Sequence, residues 1–186
     1  MSGADMTTGF FGKIPAAGDF VGRRLPSGFV QGWDRWLSLN VAPLIGTDAW
    51  DEHLALRFLS GPSAFGPAAG IILSSRDRAG RRFPLSVVAL LPVARFSLAE
   101  TADRWFARLE DIAADACDGR LTPNQLDAAL SALPPPEMPD GEELDGMVVW
   151  TARSDLCEME PGQPAAVLAR LLAADREDIG EGARCS

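Results

Sequence analysis

The stretch Gly9-Phe-Phe-Gly-Lys-Ile-Pro-Ala-Ala-Gly-Asp-Phe20 decides how this chain folds. It starts with two phenylalanines, which are typical of a buried strand, and continues into a loop rich in glycine and proline. Lys13, the one lysine of the sequence, lies in that loop together with Asp19. A loop with such backbone demands is typical of a place where the main chain approaches another surface, either of the same chain or of a partner.

Length and composition indicate one soluble globular domain. The chain has 186 residues, of which 47% are hydrophobic and 23% are charged. We expect a domain over residues 1–175, followed by a flexible C-terminal tail over 176–186. The three cysteines have no paired spacing, which indicates free thiols in a reducing compartment. No stretch reaches the roughly 20 apolar residues of a membrane span and the first residues carry no secretory signal, so the sequence predicts a cytoplasmic protein.

Charge is distributed unevenly along the chain. The net charge is −9. Residues 1–98 carry 10 basic and 7 acidic side chains, whereas residues 99–186 carry 7 basic and 19 acidic ones. Nucleic-acid-binding proteins normally have a basic excess, because neutralised phosphates supply much of their affinity. We therefore expect no nucleic-acid partner, although the first half of the chain could still present a basic patch.

The order of the expected elements predicts the fold class. Apolar patterning predicts strands over residues 8–13, 54–59, 68–73, 83–91 and 147–151. Helical spacing predicts helices over residues 27–40, 97–117, 122–133 and 162–174. The strands are grouped in the middle and do not alternate with helices, which favours an α+β fold: a single domain with a mainly antiparallel sheet covered by helices.

Helix ends and one connection have their own sequence signals. Ser27 and Ser97 are the expected N-caps of their helices, and Thr122-Pro-Asn-Gln125 forms an expected capping box. Residues 134–146 contain four prolines and five acidic residues. This composition is typical of a poorly ordered, solvated connector, which we favour, or of an acidic interaction loop.

Catalytic and metal-binding patterns are hard to find. The one histidine, His53, follows two acidic residues and is expected to be an ordinary surface residue. Asp111, Asp115 and Asp118 share a helix face, for which a solvated surface is a better interpretation than a metal site. Ile14 stands where a phosphate-binding P-loop would need Ser or Thr. We therefore predict no cofactor, no metal and no enzymatic activity.

A second charged turn, Ser75-Arg-Asp-Arg-Ala-Gly-Arg-Arg82, joins two strands of an expected hairpin. Its arginines either pair with Asp19, Asp34 and Asp77 inside the fold, or form a docking patch for an acidic or phosphorylated partner. An enzyme that binds a phosphate or nucleotide between the two turns is the alternative. The candidate partner-binding or loop-organising residues are Lys13, Pro15, Gly18, Asp19, Phe20, Arg76, Asp77, Gly80, Arg81 and Pro84.

The same segments carry a resemblance to a known family. The quoted opening stretch is followed by Leu25-Pro26 and by Trp33-Asp34-x-Trp36-Leu37, and further motifs are Ser75-x-Asp77-x-x-Gly80-Arg81-x-Phe83-Pro84-Leu85 and Val149-Trp150-Thr151. Together they resemble the TagF family of type VI secretion system-associated proteins. The first two motifs are long and ordered, so the resemblance is fairly specific, and it covers most of the chain.

The resemblance implies that residues 1–175 form a TagF-like domain. It also implies a cytoplasmic, non-enzymatic, post-translational repressor of type VI secretion. Such a protein would bind a forkhead-associated scaffold protein of the secretion apparatus, or its membrane complex, without being an integral membrane protein itself.

Overall fold

A computed structural model describes residues 6–182, with side chains described through Asp175. The strands are β1 (Thr7–Gly12), β2 (Val21–Arg23), β3 (Ala55–Ser60), β4 (Ala68–Leu73), β5 (Leu85–Leu90), β6 (Met147–Trp150) and β7 (Cys157–Glu158). The helices are α1 (Ser27–Asn40), α2 (Ser97–Thr101), α3 (Asp103–Cys117), α4 (Pro123–Ala132) and α5 (Ala165–Gly182). No helix within residues 6–182 is long and apolar enough to cross a membrane.

All seven strands form one antiparallel sheet in the order β2-β1-β5-β4-β3-β6-β7. The expected α+β fold, an antiparallel sheet covered by helices, is confirmed. β3, β4 and β5 form a meander of sequential neighbours, but β1 pairs with β5 rather than with the next long strand of the chain. The opening stretch therefore lies beside a strand that comes more than 70 residues later.

Helices cover both faces of the sheet, so the protein has two apolar cores. Successive side chains of a strand point to opposite faces. In β5, Val87 faces the first core, which the sheet shares with α2, α3 and α4. Val88 faces the second core, which the sheet shares with α1 and α5. Every residue of β3 and β4 is buried for this reason. Strands covered on both sides carry near-continuous apolar runs, which is the pattern of β4.

The aromatic face of α1 forms part of the second core. Trp33 is fully buried and stacks on Trp36 with 5.2 Å between ring centroids. The Trp33 indole N–H donates to the Ser86 hydroxyl over 2.9 Å, which satisfies its one polar atom inside the core. The expectation that Ser27 caps this helix is wrong. Ser27 is the first helical residue and follows Pro26, whose side chain has no oxygen to accept a bond.

The longest expected helix is divided in two. α2 ends at Thr101 and α3 begins at Asp103, because Ala102 between them has φ −99° and ψ 21°, outside helical values. Ser97 is not the N-cap of α2, since Phe96 occupies that position. The capping box of Thr122 and Gln125 is formed as expected. The backbone of α5 continues to Gly182, past the expected end at residue 174, and residues 183–186 of the expected tail lie outside the described chain.

Arg57 of β3 ties the sheet to α3. Its side chain is buried, and its Nε lies 2.6 Å from a Glu110 oxygen while an Nη lies 2.7 Å from Asp103. The guanidinium also lies over the Phe106 ring, 5.5 Å from its centroid. Burial alone would lower the pKa of Arg57, but the hydrogen bonds to Glu110 and Asp103 raise it, so the residue stays charged.

Cys117 and Cys157 are free thiols. Burial raises the pKa of the Cys117 thiol to about 11, so it is protonated at neutral pH and a poor nucleophile. The third cysteine, Cys185, lies outside the described residues.

Candidate functional site

The sheet brings the two charged segments of the sequence together. Residues 13–20, here called the first turn, leave the end of β1, and residues 74–84, the second turn, lead into β5. Gly12 and Leu85 are paired in the ladder between these strands. The end of β1 and the start of β5 therefore lie at the same place on the sheet, and both turns begin there.

Asp77 lies at the centre of the two turns. It is 1% exposed, and one of its carboxylate oxygens lies 3.1 Å from Lys13 Nζ and 2.7 Å from Arg81 Nε. The other oxygen accepts hydrogen bonds from the backbone N–H groups of Ala79 and Arg81, both over 2.9 Å. A buried carboxylate needs such partners, because an unpaired buried charge is costly. Asp77 thus organises its own turn and also holds Lys13 of the first turn.

These partners change the acidity of Asp77. Burial by itself would raise the pKa of the carboxyl, but the backbone N–H of Arg81, the Lys13 ammonium and the Arg81 guanidinium together lower it to about 2. The Asp77 carboxyl is therefore ionised at neutral pH.

Three further hydrogen bonds join the turns. The backbone N–H of Arg78 donates to the Ala17 carbonyl over 2.8 Å, and an Nη of Arg78 donates to the Ala16 carbonyl over 2.7 Å. An Nη of Arg81 donates to the Gly18 carbonyl over 2.8 Å. Arg78 was not among the candidate residues, and its position in the arginine-rich turn was the one sequence signal for this role. The turns are fixed to each other mainly by arginine donors on backbone carbonyls.

Pro15 and Gly80 each shape one turn. Pro15 follows Ile14, whose carbonyl accepts a bond from the Ala17 N–H over 3.0 Å, so Pro15 occupies the second position of a β-turn, which its fixed φ suits. Gly80 has φ +82°, a left-handed conformation that glycine adopts without steric cost. Its N–H donates to the Asp77 carbonyl over 2.9 Å and closes the second turn.

Gly12 and Gly18 differ in what they require. Gly12 has φ +146°, and a Cβ at this position would collide with the Pro84 carbonyl and would lie 2.8 Å from Leu85 Cα. Pro84 itself is buried. At Gly18, a Cβ would meet no described atom within 4 Å. Gly12 was not a candidate residue, but only glycine fits there, because the main chain of β1 lies so close to Pro84. Gly18 has room for a side chain, and its role is to accept the hydrogen bond from Arg81 with its carbonyl.

Phe20 closes the first turn with an exposed ring. It stacks on Phe11 with 5.6 Å between centroids and meets Phe83 edge-on at 4.8 Å. Lys13 Nζ lies 5.0 Å from the centroid of the Phe20 ring. The Phe20 side chain is nevertheless 45% exposed. An aromatic ring that is held in place and still reaches solvent is suited to contact a partner.

Two of the three acids expected to pair with the arginines have other partners. The Asp19 carboxylate accepts a bond from the Phe20 N–H over 2.8 Å, and the Asp34 carboxylate accepts one from the Ser38 hydroxyl over 3.5 Å. Asp77 is the acid that pairs inward. The internal and the surface interpretation therefore apply to different residues: Lys13 and Asp77 are internal, and Asp19 and Phe20 are exposed.

The arginines of the second turn divide in the same way. The Arg81 side chain is 61% exposed even though it contacts Asp77, and Arg82 pairs with Glu52 over 3.1 Å. Arg76 is exposed, and among the described side chains its guanidinium makes none of the ion pairs. The exposed charged side chains of the two turns are four arginines and one acid, Asp19, in a chain of net charge −9. This surface is therefore locally basic and is suited to an anionic partner.

Other charged groups form ordinary surface pairs. Asp111 lies 3.6 Å from Arg108, and Arg120 contacts both Asp115 and Asp118. Within the described residues, no group of three or more His, Cys, Asp or Glu side chains is arranged to hold a metal ion.

Comparison with known proteins agrees with this fold. The protein-family model described as "TagF N-terminal domain, Type VI secretion system-associated" matches residues 9–133. The crystal structure of PA0076 from Pseudomonas aeruginosa PAO1 is similar with a TM-score of 0.63 and 28% sequence identity, over 90% of this chain and 78% of that one. No curated protein matches the chain. The family match includes both turns and all of α1 to α4, and on this ground the chain belongs to the TagF N-terminal domain family of type VI secretion system-associated proteins.

Proposed function

We propose that the protein is a non-enzymatic, post-translational repressor of type VI secretion that acts by binding a component of the apparatus. Family membership supports a role in that system. The observation that carries the proposal is the joined pair of turns. Asp77 and Lys13 fix the two turns from inside, which leaves the charged and aromatic side chains around them exposed.

The proposed docking surface consists of Asp19, Phe20, Arg76, Arg78 and Arg81. All five are exposed, and the arginine N–H groups that are not used within the turns can donate hydrogen bonds to carboxylates or phosphates. Phe20 supplies apolar area beside these charges. The partner is an acidic or phosphorylated surface in the cytoplasm, either on a forkhead-associated scaffold protein or on the membrane complex of the apparatus. Nucleic acid is not a proposed partner.

The test is a capture experiment with purified scaffold protein and with the cytoplasmic part of the membrane complex. Arg76→Glu reverses one charge of the surface without touching the Asp77 contacts, so we expect weaker capture and an unchanged melting temperature. Arg170→Glu, an exposed arginine of α5, is the matched control and should bind normally. If Arg76→Glu and Phe20→Ala, both folded by circular dichroism, capture as well as Arg170→Glu and still repress secretion, this surface is not the docking site.

A phosphate- or nucleotide-binding enzyme that uses the same turns is the alternative. The pairing of Lys13 with Asp77 speaks against it, since the Lys13 side chain is 9% exposed and already neutralised. A thermal-shift screen with nucleotides and phosphorylated metabolites decides between the two. A saturable rise in melting temperature that Lys13→Ala abolishes would replace the repressor proposal with this one.

A further inference from the structure

A second feature lies apart from the two turns, on the side of the sheet that α3 covers. A cavity of about 500 Å³ opens between the start of α3 and the proline-rich segment that follows α4. Its lining residues are mostly apolar on the segment side and include two arginines on the helix side. They are Thr101, Ala102, Arg104, Trp105, Arg108 and residues 133–139.

The proline-rich wall of this cavity is fixed in place. An Nη of Arg95 donates to the Pro139 carbonyl over 3.0 Å, and the Ser97 hydroxyl donates to the Asp140 carbonyl over 2.8 Å. The other end of the segment is attached to α4, which packs in the first core through Leu126. Four prolines restrict the backbone in between. The sequence indicated that this segment is a poorly ordered connector, but hydrogen bonds fix its end against the rest of the domain. The cavity is therefore preformed, and a preformed cavity loses little conformational entropy when it binds a ligand.

The buried polar atoms beside this wall are not all satisfied. In the described part of the chain, three buried side-chain polar atoms have no hydrogen-bond partner, and two of them are Arg95 Nε and Trp105 Nε1. Arg95 holds the wall, and Trp105 lines the cavity while being 7% exposed. A buried N–H without an acceptor is unfavourable, and native proteins normally supply a partner. The described residues supply no acceptor for the Trp105 indole N–H, and because that nitrogen is closed to solvent, it is the ring of Trp105 that lines the cavity.

The rim of the cavity carries two arginines. Arg104 and Arg108 lie one helical turn apart on α3, so they project on the same side. Arg108 also contacts Asp111 over 3.6 Å, whereas Arg104 makes none of the ion pairs among the described side chains. Among the cavity-lining residues that the structure describes, Glu137 is the one acidic residue. The cavity thus combines apolar walls, including the Trp105 ring, with a rim that carries two arginines.

We propose that this cavity binds a small amphipathic carboxylate, with an aromatic or aliphatic body between Trp105 and the proline wall. The carboxylate lies at Arg104 and Arg108. None of the cavity residues belongs to the docking surface, so this site is independent of the proposed function. It gives the protein a place to respond to a soluble small molecule.

The experiment titrates the purified full chain with 2-naphthoate and follows the five tryptophan indole N–H signals by two-dimensional NMR. The Trp105 signal is assigned by triple-resonance spectra, so that no core variant is needed. We expect a saturable shift of the Trp105 signal. Arg104→Ala should weaken binding at least about fivefold, since it removes the charge partner of the carboxylate. Arg35→Ala removes an exposed arginine of α1 and should leave the affinity unchanged.

Three outcomes overturn the proposal. One is the absence of any saturable shift of the Trp105 signal at millimolar 2-naphthoate. Another is equal affinity for the uncharged 2-naphthalenemethanol, which would show that the arginines do not bind the carboxylate. The third is an equal loss of affinity in Arg104→Ala and Arg35→Ala.

Discussion

Lys13 and Asp77 meet in a buried ion pair, with 3.1 Å between Lys13 Nζ and an Asp77 oxygen. They come from different turns, and the ladder between β1 and β5 is what brings those turns together. The pair lies beneath the exposed groups of the proposed docking surface and joins the two turns that carry them. Stability and the proposed partner binding are therefore coupled here, and variants must be chosen to separate them.

The first prediction concerns the pH dependence of stability. The pKa of Asp77 in the folded protein is about 2, below its ordinary value near 4 in an unfolded chain. The ionised carboxylate therefore stabilises the fold fully above about pH 4, and this contribution is lost as the pH falls towards about 2. Asp77→Asn should lower the urea midpoint at pH 7. The difference in urea midpoint between this variant and the natural chain should become smaller below pH 4.

Urea unfolding by circular dichroism at pH 7, 5, 4 and 3 measures that difference. Asp19→Asn is the control, because this exposed carboxylate contacts only its neighbouring backbone N–H among the described groups. A constant difference between Asp77→Asn and the natural chain across this range would contradict the role given to the ion pairs.

The second prediction concerns the close approach of the two turns. Gly12→Ala places a methyl group against the Pro84 carbonyl at φ +146°, so we expect a loss of about 3 kcal/mol in the free energy of unfolding. Gly18→Ala meets open space and should change it by less than about 0.5 kcal/mol. Chemical denaturation of both variants gives the comparison. Equal effects would mean that the turns do not meet as described.

The third prediction concerns the ion cluster of Arg57. Glu110 is largely buried with this arginine, whereas the Asp103 side chain is 71% exposed. Glu110→Ala leaves a buried guanidinium with one partner and should cost about 3 kcal/mol. Asp103→Ala removes a solvated partner and should cost less than about 1 kcal/mol. Thermal and urea unfolding of each variant test this order, and the reverse order would refute it.

The fourth prediction compares two helix starts. The Thr122 hydroxyl accepts from the Gln125 N–H at the start of α4, and Thr122→Ala should therefore cost about 1 kcal/mol. Ser27 looks similar in sequence but is already inside α1, so Ser27→Ala should stay within about 0.5 kcal/mol. Urea midpoints at neutral pH measure both. A larger effect at Ser27 would show that its hydroxyl caps the helix after all.

The sheet and most of its strands could be predicted from the sequence because apolar runs of six residues leave few alternatives. β4 has the bounds that its pattern predicts. The short strands β2 and β7 could not be found, since two or three residues carry no periodicity and their pairing is decided by neighbours far away in the chain. The break at Ala102 was also hidden, because alanine is the best helix former and the local propensity there favours a continuous helix.

The candidate site could be predicted in part. Glycine, proline and charge in residues 13–20 and 76–82 indicated two positioned turns, and the structure joins them. The sequence could not say which charges are internal, because that depends on the depth at which each turn lies against the sheet. Asp77 is buried and Asp19 is exposed, although both stand in similar glycine-framed surroundings. The unsatisfied indole of Trp105 has no sequence signal at all.

The pairing of β1 with β5 also sets an order of events during synthesis. The ribosome makes β1 first, but its long partner emerges only after α1, β3 and β4 have been translated. Until Leu90 has left the exit tunnel, the earliest strand has no complete ladder on that side to hold Lys13 beside Asp77. A nascent polypeptide released before that point, when about half of the protein has been made, would lack the joined pair of turns and with it the proposed docking surface.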